Sequence, residues 1–276
     1  MLEDGDLRGS PVFVLHGTPG ARLLYHKHVE DARRRGIRLI GHDRAGYGGS
    51  TPKPGRTVAN DAFDVAAIAD DLGLDRFAVW GHSGGGPHAL ACAALLPQRV
   101  VAVSSLASPA PYPAEGIDYL AGMGEANAED LRLLLSNQPA WEAKLAAEAP
   151  MMASATIEQT VEFIRSLLSD VDRAALTDDV AELLVSQARE GMRLGFEGLK
   201  DDNISGVKPW GFELSAIHVP LQLWHGEHDK FVPFSHGEWL ARRLPKSDIH
   251  LEPTDGHVTL FSQRIPLVHE WLLSHF

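Results

Sequence analysis

Short runs of nearly continuous apolar residues recur along this chain, and they constrain its fold more than any other feature. Val12-Phe13-Val14-Leu15, Ile37 to Ile40, Phe77 to Trp80 and Arg99 to Leu106 lack the regular apolar–polar alternation of a strand with one face in water. Such runs suit strands covered on both faces, as in a parallel sheet inside an α/β protein. The segments between them, Arg22 to Arg35, Val58 to Leu72 and Ala89 to Leu96, are helix-compatible. Val58, Ala62, Val65, Ala66, Ala69 and Leu72 stand at helical spacing, and Gly73 marks a stop. Strand and helix in turn predict an α/β fold, a mostly parallel, doubly wound sheet with helices on both faces. With 276 residues, 44% of them hydrophobic, the chain can bury a sizeable core.

The rhythm breaks at Ser108-Pro109-Ala110-Pro111-Tyr112-Pro113. From there to about Leu214 the strand pattern is lost. Ala128 to Leu135, Ala140 to Ala149, Ile157 to Leu168 and Val180 to Leu194 read as amphipathic helices. This predicts a core built from residues 1–108 and 215–276 with a helical cap over 109–214. Trp141, Met151, Met152 and Trp210 are the cap's candidate substrate-binding residues, although apolar helix stripes are first of all core. Strand character returns at Val219 to Trp224 and Ile249 to Leu251, on either side of a helix over Phe234 to Leu244. A last helix runs from about Ile265 to His275.

Gly81-x-Ser83-x-Gly85 lies where the Phe77–Trp80 run meets the helix that follows. A serine at the tip of a sharp strand-to-helix turn exposes its hydroxyl, and glycines two residues away on either side let neighbouring backbones pass. The helix N-terminus supplies free N–H groups and a positive dipole end for developing negative charge. Asp229, in His225-Gly226-Glu227-His228-Asp229, and His257, in Asp255-Gly256-His257, also stand just beyond predicted strands. That edge of a parallel sheet is where sites form. His257 can take the Ser83 proton near neutral pH, and Asp229 can hold the imidazole tautomer. Gly84, after the serine, and Thr18, in the loop after the first strand, are the candidate oxyanion-hole amides, with Gly17 second in that loop because Pro19 has no N–H.

His16-Gly17-Thr18-Pro19-Gly20, Asp43-Arg44-Ala45-Gly46-Tyr47-Gly48-Gly49-Ser50, Gly81-His82-Ser83-Gly84-Gly85 and the two loops of Asp229 and His257 follow one another in a fixed order. From Pro11 to the C-terminus the chain resembles the α/β-hydrolase superfamily, in its serine-nucleophile, helix-capped branch. The resemblance implies a Ser83–Asp229–His257 triad and no cofactor; cleavage of a small to medium carboxylic ester through an acyl-enzyme is the expected reaction, because it demands least beyond triad and oxyanion hole. Dehalogenases and epoxide hydrolases of this fold carry an aspartate where Ser83 stands. Carbon–carbon bond hydrolases, amide or lactone hydrolases and perhydrolases share the serine triad, and a ligand receptor with slow turnover is a further alternative. Family members usually have an antiparallel hairpin at the start. About ten residues precede Pro11, so this edge is expected to be short or missing.

The net charge of −12 argues against a nucleic-acid or anionic-membrane surface. Cys92, the single cysteine, sits among alanines as a small helix residue and leaves no intrachain disulfide. The acidic start does not read as a signal peptide, and no stretch has the length of a membrane span, so a soluble, cytoplasmic protein is expected. His225-x-x-His228-Asp229 and His26-x-His28 have ligand types but no full zinc set; no metal is expected, and His26 and His28 are read as residues of a surface helix. His82 and His88 are read as packing residues, Asp255 as a turn residue, and Asp201 and Asp202 as solvent-facing in the cap. Arg44 and Asp43 are read as ties from the second loop to the sheet.

Overall fold

In the computed structural model, which describes residues 1–244 and 246–276, the apolar runs pair as one seven-stranded sheet. Its strands are β1 (Leu2–Gly5), β2 (Ser10–Leu15), β3 (Ile37–Gly41), β4 (Phe77–His82), β5 (Val100–Leu106), β6 (Leu221–Gly226) and β7 (Asp248–Glu252), ordered β1-β3-β2-β4-β5-β6-β7. Every neighbouring pair from β3 to β7 is parallel. β1 alone is antiparallel, with Leu2 opposite Gly41 and Gly5 opposite Arg38. The edge that was expected to be short or missing is therefore a single short strand. Leu-Glu-Asp-Gly carries no apolar pattern and joins the sheet through its backbone.

Helices α1 (His26–Arg35), α2 (Asn60–Asp71) and α3 (Gly85–Leu95) connect the first strands. Arg22 to Tyr25 does not join α1, because side chains from elsewhere hold its backbone. The Ala21 amide donates to Gln187 at 2.6 Å and the Arg22 amide to Asp43 at 2.8 Å. Phe13, Val79 and Val103 face a core closed by α2 and α3, while Val12, Trp80 and Ala102 face one closed by α1 and the C-terminal helix. Alternate residues of each strand thus enter opposite cores, which is why these runs show no polar face.

Only helices lie between β5 and β6: α4 (Glu125–Ser136), α5 (Gln138–Ser154), α6 (Ile157–Phe163), α7 (Asp170–Ala175), α8 (Asp178–Gly191) and α9 (Glu197–Gly206), besides two short 3-10 turns. The segment expected as one helix over Ile157–Leu168 breaks after Phe163 into the 3-10 turn Arg165–Leu167. After β6 come α10 (Phe234–Arg243) and then α11 (His257–Thr259), which continues through a π turn, Leu260–Arg264, into α12 (Ile265–Leu273). Among the described residues no helix is long and apolar enough to cross a membrane.

Eight histidines, His16, His28, His82, His88, His225, His236, His257 and His269, are held below the ordinary imidazole pKa, in each case chiefly by burial. A histidine kept neutral by folding lets the unfolded chain bind more protons, so its stabilising contribution is lost as pH falls below about 6.5. Asp229 acts in the opposite direction, since burial raises it to about 7. Burial also raises Asp64 and Asp201, so three carboxyls stand against eight imidazoles. Each group held from its proton over one pH unit is worth about 1.4 kcal/mol. Two or three such groups correspond to roughly 10 °C in a domain of this size. Thermal melts are expected to show a midpoint lower at pH 5 than at pH 7 by about that amount; an equal or higher midpoint at pH 5 would contradict the neutral assignment.

Candidate active site

The turn between β4 and α3 has no room for side chains beside Ser83. A Cβ on Gly81 would lie 2.2 Å from the Gly85 carbonyl oxygen, and one on Gly85 2.1 Å from that of Leu15. These contacts press α3 against the ends of β2 and β4. Ser83 itself is held at φ 58°, in the left-handed region that a serine rarely adopts. Its amide donates to Leu106 at 2.9 Å and its carbonyl accepts from Gly86 at 2.9 Å. The backbone is thereby fixed on both sides while the side chain remains at the cavity.

His257 begins α11 and Asp229 lies in the turn after β6. The imidazole Nδ1–H donates to Asp229 Oδ2 at 2.7 Å, which leaves Nε2 as the basic nitrogen. The other Asp229 oxygen accepts from the Phe231 and Val232 amides, each at 2.8 Å. Phe231 stacks on the His257 ring at 4.4 Å, and the His82 ring stands 4.5 Å away. Burial raises the Asp229 carboxyl and lowers His257, so the pair rests with a neutral imidazole able to accept a proton. Ser83 and His257 both line one cavity of about 600 Å3.

The Thr18 and Gly84 backbones lie together: a Cβ on Gly84 would be 3.3 Å from Thr18 N. Neither amide donates to another group among the described residues. Arg44 holds this loop from below, donating to the His16 carbonyl, to the Gly17 carbonyl at 3.0 Å and to Thr18 Oγ1 at 3.3 Å. Asp202 of α9 completes the cluster. It accepts from Arg44 at 2.5 Å, from Thr18 Oγ1 and the Tyr47 hydroxyl at 2.9 Å each, and from Arg56.

The expectation that Asp201 and Asp202 face solvent is therefore corrected, since both are 6% exposed and Asp202 is the counter-ion of two buried arginines. Their polarity suggested water, but the matching charges come from residues far away in the chain. His28, read as a surface residue, is instead buried against Phe261, whose carbonyl accepts from its Nε2 at 2.9 Å. His26 stays near the surface beside Asp179. His225 gives its Nε2–H to the Val232 carbonyl at 2.9 Å, and His88 lies between Asp61 and Asp202. Asp255 pairs with Arg264 at 2.7 Å.

Met151 and Met152 line the cavity, whereas Trp141 and Trp210 do not. Trp141 fills the core between α4, α5 and Tyr47 and donates to Asp130 at 2.8 Å. Trp210 packs against the sheet's core and stacks on Phe212. Other cavity residues carried no sequence signal, among them Ile164, Leu183, Leu184 and Phe231. Apolar type alone does not say which helix face meets a cavity. Arg22 is the one arginine or lysine on the cavity wall among the described residues, and it is bound to Asp43 and Glu190 at 2.5 and 2.9 Å.

Replacing Asp202 with Asn leaves Arg44 and Arg56 without a full counter-charge in the interior. Breaking a buried pair in this way costs about 3–5 kcal/mol. Calorimetry is expected to show a midpoint lowered by roughly 10 °C or more; a change within 2 °C would deny Asp202 this role.

A family model described as alpha/beta hydrolase fold matches residues 10–263. The AB hydrolase superfamily protein YisY of Bacillus subtilis (strain 168) is 25% identical over 269 residues, covering 93% of this chain and 88% of that protein. A 2-hydroxy-6-oxononadienedioate/2-hydroxy-6-oxononatrienedioate hydrolase of Pseudomonas putida is 26% identical over 259 residues, covering 89% and 80%. Among solved structures, a thermophilic esterase from Thermogutta terrifontis superposes with a TM-score of 0.71 at 22% identity, covering all of this chain and 93% of the other. The enol-lactonase from Burkholderia xenovorans LB400 gives 0.69 at 15% identity, covering 99% and 94%. The matched span takes in β2, the Ser83 turn and His257, and the chain belongs to the α/β-hydrolase fold family.

Proposed function

We propose that this chain is a serine hydrolase of uncharged carboxylic esters with apolar acyl groups. The observation that carries the reading is the His257 Nδ1–Asp229 bond of 2.7 Å in the same cavity as a strained, half-buried Ser83. Ser83 Oγ attacks the ester carbonyl carbon as His257 Nε2 takes its proton. The oxyanion accepts from the Thr18 and Gly84 amides, which stand ready before the reaction begins. Collapse breaks the ester C–O bond, and His257 gives the proton to the leaving alcohol. Water then attacks the acyl-enzyme, losing its proton to His257, and the acid leaves as the proton returns to Ser83. Every proton is accounted for without a cofactor. The helices between β5 and β6 act as a cap over residues 109–214, with Met151 and Met152 on the substrate side.

Substrate charge separates this reading from carbon–carbon bond cleavage. The Pseudomonas putida relative is named for a dioate, a dianion at neutral pH. Here the cavity's one arginine is already neutralised by two carboxylates, and Glu162 adds a negative charge to the wall. Carrying two further carboxylates there would cost desolvation without a counter-charge. A cytoplasmic setting belongs to the same proposal, since a lone buried thiol needs no oxidising compartment.

Turnover of p-nitrophenyl esters of graded acyl length is expected for the wild type, with a loss of at least about 10³-fold in Ser83→Ala. Equal activity in both proteins would overturn the mechanism. Faster turnover of a 2-hydroxy-6-oxo-dienedioate than of any ester would favour carbon–carbon cleavage. Because burial holds His257 down, the acid limb of kcat/KM is expected below about pH 6 rather than at the ordinary 6.5. A limb at or above 6.5 would show a solvated imidazole.

A further inference from the structure

The helix that begins at His257 lacks a cap from its own sequence. Gly256, the residue before it, has no acceptor side chain, and Asp255 is bound to Arg264 at 2.7 and 3.1 Å. The acceptor comes instead from α7, in the helical insertion. Asp172 Oδ2 accepts from the His257 amide at 3.1 Å, and Oδ1 accepts from the Val258 and Thr259 amides at 2.8 and 3.2 Å. Ser169 Oγ donates to Oδ2 at 2.8 Å. The carboxylate is fully buried, and a Cβ on Gly256 would lie 2.3 Å from its Oδ2.

Three N–H groups, one hydroxyl and the positive end of the helix therefore compensate one buried charge. Any other residue at 256 would push that charge away. α7 has its own cap in Ser169, whose Oγ accepts from the Asp172 amide, so the Asp172 carboxylate is free to reach the amides at 257–259. These contacts converge on the residue that bears the base.

We propose that Asp172 is a positioning residue for His257, a second carboxylate that fixes the base through its backbone while Asp229 fixes it through its ring. The proposal rests on the serine-hydrolase reading. Closing the insertion onto the sheet and setting the angle of the imidazole are then one event. The groups facing His257 are Asp229, Asp172, His82, and, more distantly, His225, with Asp255 and Arg264 paired beside it. On its own element Asp172 is followed by Arg173, which is bound to Asp170. Burial lowers His257, and the Asp172 charge opposes that lowering.

The test follows inactivation of the full chain by a fluorophosphonate, with the labelled residue identified and the rate measured against pH alongside kcat and KM for a p-nitrophenyl ester. Asp172→Asn keeps the shape and removes the charge. It is expected to lower kcat and the labelling rate by about tenfold, to leave KM within about twofold, and to move the acid limb down by about half to one unit. Gly256→Ala retains every charge but displaces the carboxylate, and is expected to lower kcat similarly; it decides the matter should Asp172→Asn fail to fold. Asp170→Asn, on the exposed side of the same helix, is expected to match the wild type.

An unchanged kcat and limb in a folded Asp172→Asn or Gly256→Ala would overturn the proposal. So would a limb that moves up towards 6.5, which would mean only that the loop has loosened into water. A wild type that does not label at Ser83 would overturn the serine-hydrolase reading itself; labelling at Ser83 with Asp172→Asn unaffected would overturn this inference alone.

Discussion

The constraint on which the site depends is the passage of three backbones past one another where β2 and β4 end and α3 begins. Gly85 rests on the Leu15 carbonyl, Gly81 lies beneath Gly85, and Gly84 meets Thr18, each at a separation that excludes a Cβ. The loop after β2 is thereby held beside Ser83. The φ of 58° at Ser83 is the local cost of that crossing. Two flat cores, one on each face of the sheet, hold the strands rigid enough to bear it.

Charge is buried around this crossing in a graded way. On one side Asp202, Arg44, Arg56 and Tyr47 form a saturated cluster that fixes the Thr18 loop. On the other, Asp229 is left partly under-compensated, with two amides and one imidazole for its oxygens. The first arrangement resists change in protonation and the second invites it. Holding a loop fixed and leaving a carboxylate–imidazole pair free to change protonation are different electrostatic tasks, and the residues are divided accordingly.

Much of this was legible in the residues. Val12–Leu15 and Phe77–Trp80 announced strands buried on both faces because each truly has two cores to fill. The Ser83 turn was readable because its glycines are demanded by backbone contacts that any such turn must make. α7 and α9 were not, since their inward side chains are Asp172 and Asp202, and acidic residues read as solvent-facing unless their distant partners are known. β1 escaped for a related reason, as a strand held by backbone pairing alone leaves no side-chain rhythm. Trp141 and Trp210 show the converse, since their size said "buried" without saying where.

The counter-charge for two arginines of the core comes from residue 202, on the last helix before the chain returns to the sheet. This bears on modularity. The helices between β5 and β6 invite exchange between relatives as a detachable specificity element, yet the seam is not where the strand pattern stops. α9 belongs electrostatically to the scaffold, and α7 and α8 are tied to it as well, through Asp172 at the His257 amide and Gln187 at the Ala21 and Leu23 backbones. A graft cut at β6 would carry away the anion that neutralises the recipient's interior, and would fail for reasons unrelated to the new substrate pocket.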